Sequence, residues 1–373
     1  MSKVASQIKK TALKIHPELS SLFITYEPDV DFVIAQLSSS SCYPLELDIY
    51  AFEKLVNNPL DCGEIDSILQ NITQYIFKSV NVENTPYLKN EILNSLNLPL
   101  VKSYYKAILP LARLISIWGL KRFNLNLGDE QEFFELTIII GCLGYRMLDN
   151  LNDSPEFRNK HMAVMTISTI FLIEFFNRCH SYFDDVNHKD YDILVYHNYL
   201  CDSTIKEHSC FQQSIEWKEK DIFELGRKLA PMKIIFAFIL KKANHWHLKD
   251  KYEAILDNLQ IGIQLQDDLA DWKEDLKSGY ISFPVNLVIR NKNLSLKDED
   301  VIRNIEYGLY VDGLIFYILD MIENFLKNAS KLCEEVDDSL LKFFILTRLT
   351  TYSKNRAYIE DSIIQFYRNS KGA

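Results

Sequence analysis

The sequence predicts an all-α protein, and three observations predict it. Apolar residues recur at three- and four-residue spacings through most of the chain, the period of a helix with one buried face. No run alternates apolar and polar residues around a two-residue glycine turn, as a hairpin would. The chain has 22 Phe and 20 Tyr against 11 Gly and 10 Pro, so ring surface is plentiful and turn-makers are scarce.

Taken in order, residues 3–24 read as an amphipathic helix, followed by a looser stretch, SSSSCYP, at 38–44. Helices are then expected over 46–57, 63–80 and 97–122. The next, 129–152, starts where Asp129 precedes Glu130 and Glu132 and carries a strongly apolar body from Phe133 to Leu148. Further helices are expected at 158–182, 190–212, 214–244, 249–276 and 280–291. Two more cover 298–327, opened by Ser295 and an acidic first turn, and 331–369, the last one broken. No internal repeat or low-complexity tract interrupts the series. The stretch 81–96 is the one seam, giving an N-terminal helical segment, 1–90, packed on a single antiparallel bundle, 91–373.

Bulk properties narrow the function. With 51 acidic and 41 basic side chains the net charge is −10, and no basic run is long enough to hold a nucleic acid against that field. An anionic small substrate would need metal ions to screen it. Seven scattered cysteines, an odd number without a CxxC pair, argue against a disulfide framework or a zinc site and fit a reducing compartment. The first residues lack the apolar core of a signal peptide. The longest apolar runs, such as 163–173, fall short of the roughly 20 residues that span a bilayer. A cytoplasmic protein with no integral membrane segment is expected.

Two acidic segments carry the chemistry. In the first, Asp149-Asn150-Leu-Asn-Asp153, the two aspartates stand four residues apart, so both carboxylates leave one helical face. In the second, Gln264-Leu-Gln-Asp267-Asp268-Leu-Ala-Asp271-Trp-Lys-Glu274-Asp275, a stripe of carboxylates runs over two turns with Asp268 flanking it. A solvated helix end explains the first pair as easily as a site does. The second is harder to read as surface, because like charges so close repel one another unless hard cations neutralise them. Mg2+ takes oxygen ligands and bridges carboxylates to substrate phosphates.

The residues that follow, Asp275-Leu-Lys277-Ser-Gly279-Tyr-Ile-Ser282-Phe-Pro284, complete a string of the form QxxDDxxD…DLxxGxxS/TxP. This string resembles the second aspartate-rich motif of the trans-isoprenyl diphosphate synthase and class I terpene synthase superfamily. The first segment looks like that superfamily's DDxxD motif, with Asn150 standing where a second Asp is usual; it also looks like the DNLCD-type motif of large terpene synthases. The resemblance spans roughly 95–360 and is strongest at 264–284.

The resemblance implies an isoprenoid-synthase helical bundle and an isoprenyl diphosphate substrate. It implies Mg2+ as cofactor, three ions of it, held by Asp149, Asn150, Asp153, Asp267, Asp268, Asp271 and Asp275. Asp149, Asp153, Asp267, Asp268 and Asp271 are then the catalytic carboxylates, working as metal ligands and not as general acids. Lys228 looks like the diphosphate-binding lysine between the motifs, Arg227 could be a diphosphate sensor, and Gln264 and Lys277 belong to the motif segment. Arg158 matches the first Arg of an RRG segment that Asn159 and Lys160 break. Arg348 and Tyr352, with Arg356 and Tyr358, could form a closing lid; ordinary helix surface is the bland alternative. A homodimer through a face such as 97–118 is a further expectation.

Upstream of Asp149 there is no Gly-Gly-Lys of the kind that holds isopentenyl diphosphate in chain-elongating synthases; Gly119-Leu-Lys-Arg122 is a poor substitute. Cyclisation or elimination from one substrate is therefore favoured over chain elongation. A non-catalytic partner subunit is the alternative from another class. A di-iron carboxylate bundle needs ExxH pairs, and the sequence has none.

Overall fold

A computed structural model describes residues 85–96, 130–153, 161–183, 193–211, 217–297 and 300–371, with isolated positions such as 74, 77 and several within 115–128. The helices expected at 3–24 and 46–57, most of those at 63–80 and 97–122, the 38–44 stretch and Arg158 lie outside the described residues. Among the described residues every regular element is helical, as the apolar period predicts. None of these helices is long and apolar enough to cross a membrane.

In chain order the α-helices are α1 Pro86–Leu96, α2 Glu130–Asp153, α3 His161–Phe183, α4 Ile193–Phe211, α5 Ala230–Lys242 and α6 Lys249–Ser278. They continue with α7 Phe283–Lys292, α8 Val301–Glu306, α9 Leu314–Glu335 and α10 Ser339–Lys371. The chain forms two compact units. One contains Tyr196–Lys233 and Leu248–Ala373; the other runs up to Val195 and resumes over Ile234–His247.

In the second of these units α2 packs along α3. The approach is close at Gly141, where an added Cβ would lie 2.5 Å from the Phe175 ring. Ser168 Oγ, buried between apolar neighbours, donates to the Gly144 carbonyl at 2.8 Å. Arg178 and Glu174, also buried, pair at 2.9 Å, and Arg178 Nη1 donates to the Phe133 carbonyl at 3.2 Å. A buried guanidinium survives because its partners replace water.

In the first unit α6 packs on α9 and on a 3-10 stretch, Glu219–Leu229. Its buried face carries Tyr252, Ile255, Leu259, Leu265, Leu269 and Trp272. Gly262 lets α9 approach: a Cβ there would meet Leu326 at 2.9 Å. Tyr252 Oη donates to Asp338 Oδ2 at 2.7 Å, while Asp338 Oδ1 accepts from the Leu341 N–H at 2.9 Å and so caps α10.

Four expectations change. The seam at 81–96 contains α1, which Pro86 opens at a first-turn position that tolerates proline. The helix expected over 214–244 divides into the 3-10 stretch and α5. Ile222 and Leu225 are both buried, and their three-residue spacing matches a helix with three residues per turn. The helix expected over 298–327 is broken by a π-helical turn, Tyr307–Val311, and by Gly313 at φ +79°. The boundary left between 327 and 331 disappears, because α9 runs on to Glu335; the break expected within 331–369 falls at 336–338, where Asp337 takes φ +54°.

Candidate functional site

The second acidic segment lies on the last turns of α6. Leu265, Leu269 and Trp272 anchor this part of the helix in the core, which leaves Asp267 exposed and Asp271 and Asp275 half-buried. Asp268 turns inward and is 3 % exposed; its Oδ1 accepts from Gln264 Nε2 at 2.8 Å. The helix stops at Gly279, whose φ of +95° a side chain would resist. Its N–H bonds the Asp275 and Leu276 carbonyls. Ser282 and Pro284 then open α7. The motif string is therefore one helix end, a left-handed turn and one helix start.

Burial raises the Asp271 carboxyl to about 6, the Asp267 charge adds to the rise, and a hydrogen bond shared with Asp275 opposes it. Asp271 Oδ1 is buried with no hydrogen-bond partner among the described residues. An oxygen-only donor set with one such carboxylate oxygen suits a hard cation such as Mg2+. Among the described residues no group of three or more His, Cys, Asp or Glu already stands in metal-holding geometry.

The first acidic segment belongs to the other unit. α2 runs to Asp153, which puts Asp149, Asn150 and Asp153 on its final turns. Their side chains lie outside what the structure describes.

Arg227 and Lys228 close the 3-10 stretch. Arg227 pairs with Glu224 and, at 3.3 Å, with Asp202, and its guanidinium lies 4.8 Å from the centroid of the Tyr199 ring. Lys228 is half-buried. Asp221 has a different partner: Lys206 at 2.9 Å. Burial works against the Asp221 carboxylate, but Lys206 and the Lys218 N–H together hold it below the usual range.

The C-terminal residues divide. Tyr352 is 1 % exposed and its hydroxyl donates to the Leu319 carbonyl, an anchor between α10 and α9. Arg356 holds Asp320, Glu323 and Glu360 at once. Arg348 is half-buried, stacked 5.4 Å from the Phe344 ring, and burial lowers its pKa. The Tyr358 side chain is outside the described set, and Lys277 is exposed.

Three residues escaped the sequence reading. Trp217 is fully buried; its Nε1 donates to the Ile281 carbonyl at 3.2 Å, and its own carbonyl accepts from Asn286 and Arg290 at 2.9 Å each. Lys233, 6 % exposed, pairs with Asp257 at 2.6 Å. A lysine inside the apolar run of α5 was the available signal, since a buried ammonium needs a partner.

No protein-family model matches the chain, and no curated protein matches it.

Proposed function

We propose that the protein ionises a linear isoprenyl diphosphate in a Mg2+-dependent reaction and releases a cyclised or rearranged terpene and diphosphate. The observation that carries this reading is the end of α6: an acidic stripe with inward-turned Asp268, held by Gln264, just before the Gly279 turn. That arrangement keeps the QxxDDxxD residues on one helix, which supports the reading.

On this reading Asp267, Asp268, Asp271 and Asp275 hold metal, and Asp149, Asn150 and Asp153 supply the second set. Mg2+ held there would neutralise negative charge on the departing diphosphate. The allylic C–O bond breaks and its electron pair leaves with the diphosphate. The carbon cation left behind adds to a double bond of the same chain and finally loses a proton. Arg227 and Lys228 are the residues assigned to diphosphate oxygens. Arg227 would exchange Asp202 and Glu224 for phosphate, whose oxygens its planar fork can also bind in pairs.

The test is release of diphosphate from a series running from farnesyl to heptaprenyl diphosphate, with and without Mg2+. Turnover of one prenyl diphosphate alone is expected. A strict requirement for isopentenyl diphosphate would instead make the protein a chain-elongating synthase, and silence with every substrate would favour a non-catalytic subunit.

A further inference from the structure

We infer that Gln260 is a positioning residue for Asp268, acting through Gln264; the inference rests on the metal-binding reading of α6. Gln260, Gln264 and Asp268 follow one another at four-residue intervals on α6 and form a continuous chain. Gln260 Nε2 donates to Gln264 Oε1 at 3.4 Å, and Gln264 Nε2 donates to Asp268 Oδ1 at 2.8 Å. Gln260 and Gln264 are half-buried and Asp268 is buried, on a helix whose Leu259, Ile261, Leu265 and Leu269 are in the core.

Its direction follows from the chemistry of its end. An ionised Asp268 can accept but not donate, so Gln264 must offer its NH2 group and keep its carbonyl for the other side. That carbonyl then needs a donor, and Gln260 supplies it. Without Gln260 the Gln264 amide is fixed from the Asp268 side alone, and its flipped form would set a carbonyl oxygen against the Asp268 carboxylate. Groups that orient a ligating carboxylate affect metal affinity although they never touch the metal. Gln260 lies outside the QxxDDxxD string, so the motif alone does not reveal it.

Binding of Mn2+, in place of Mg2+, to the full chain followed by loss of the free-ion EPR signal tests this without any substrate. Gln260→Met is expected to weaken Mn2+ binding about fivefold, the effect of one net hydrogen bond, with unchanged melting temperature. Gln260→Glu keeps the volume but removes the donor, and is expected to weaken binding further because Gln264 would turn its NH2 group toward residue 260. In a Gln264→Met background, Gln260→Met is expected to have no further effect, since nothing remains to transmit it. Unchanged Mn2+ affinity in both Gln260 variants, with affinity lost in Asp268→Asn, would overturn the role of Gln260 and leave the metal site standing. A full additive effect in the Gln264→Met background would overturn it too. Unchanged affinity in Asp268→Asn would sink the metal-binding reading itself, and Gln260 would have nothing to position.

Discussion

Lys233 Nζ stands 2.6 Å from Asp257 Oδ1, joining the first turn of α5 to α6 in an ion pair whose lysine is almost wholly buried. Burial raises the Asp257 carboxyl above its ordinary range, and Lys233 opposes that rise without cancelling it. Lys233→Met should therefore raise it further. A carboxyl whose folded pKa is raised favours its protonated form in the fold. Its ionisation begins to cost stability as pH climbs past the unfolded value of about 4, and the full cost is reached above the folded value. The variant is expected to lose about 1–3 kcal/mol at pH 7, a range discounted for the partial exposure of Asp257. The loss should shrink toward pH 4. Urea midpoints of both proteins across that pH range check it; a constant difference would mean that the charge of Asp257 is not what Lys233 answers.

Trp217 ties the start of the 3-10 stretch to the turn after α6 and to α7 through the three hydrogen bonds of its indole and carbonyl. Trp217→Phe keeps a ring and both carbonyl contacts but removes the donor to the Ile281 carbonyl. The expected cost is about 1–2 kcal/mol from that hydrogen bond and the lost ring volume. Chemical denaturation measures it. A change below a few tenths of a kcal/mol would show that the indole N–H contributes nothing net.

How much of this was legible in the sequence varies by element. α6 was readable almost to its last residue, because its apolar face, acidic stripe and terminal Gly279 all agree on one helix and one end. The 3-10 stretch was not. Ile222 and Leu225 fit a three-residue period, but a span so short also satisfies an α-helical pattern. The π-helical turn at Tyr307–Val311 continues an apolar run, and the only local marks are Gly308 and Gly313. Gly308 sits inside that turn because Val288 of α7 crowds it: an added Cβ would fall 2.3 Å from Val288 Cγ1. Such a constraint belongs to tertiary packing, which no local window contains. The inward turn of Asp268 was likewise invisible, since the stripe assigns it a flank and the core decides the rest.

Gly141 makes the corresponding constraint testable between α2 and α3. Its added Cβ would lie 2.5 and 2.7 Å from two ring carbons of Phe175. That ring cannot swing away freely, being 2 % exposed and packed against Tyr145 and Phe176. Gly141→Ala is expected to cost about 1–3 kcal/mol through overpacking, despite alanine's better helix propensity. Adding Phe175→Leu should recover part of the loss, so that the two changes are non-additive in a double-mutant cycle. If Gly141→Ala stabilises the protein, propensity outweighs contact at this site.

Asp271 separates stability from function. Its carboxylate is half-buried beside Asp267, and one of its oxygens is buried without a hydrogen-bond partner among the described residues. With no divalent ion bound, that charge is a cost: it loses water and repels its neighbour. Asp271→Asn removes the charge and keeps the shape, so the metal-free variant is expected to be more stable by about 1 kcal/mol, with a melting temperature a few degrees higher. The same change removes a ligand oxygen with its charge. Mg2+ should therefore raise the melting temperature of the unaltered protein and have little effect on the variant, and diphosphate release should fall at least about a hundredfold. Thermal melts with and without Mg2+ decide the first part, and release assays decide the second. A variant that is less stable without metal, or one that Mg2+ still stabilises in full, would show that Asp271 serves the fold and not a cation.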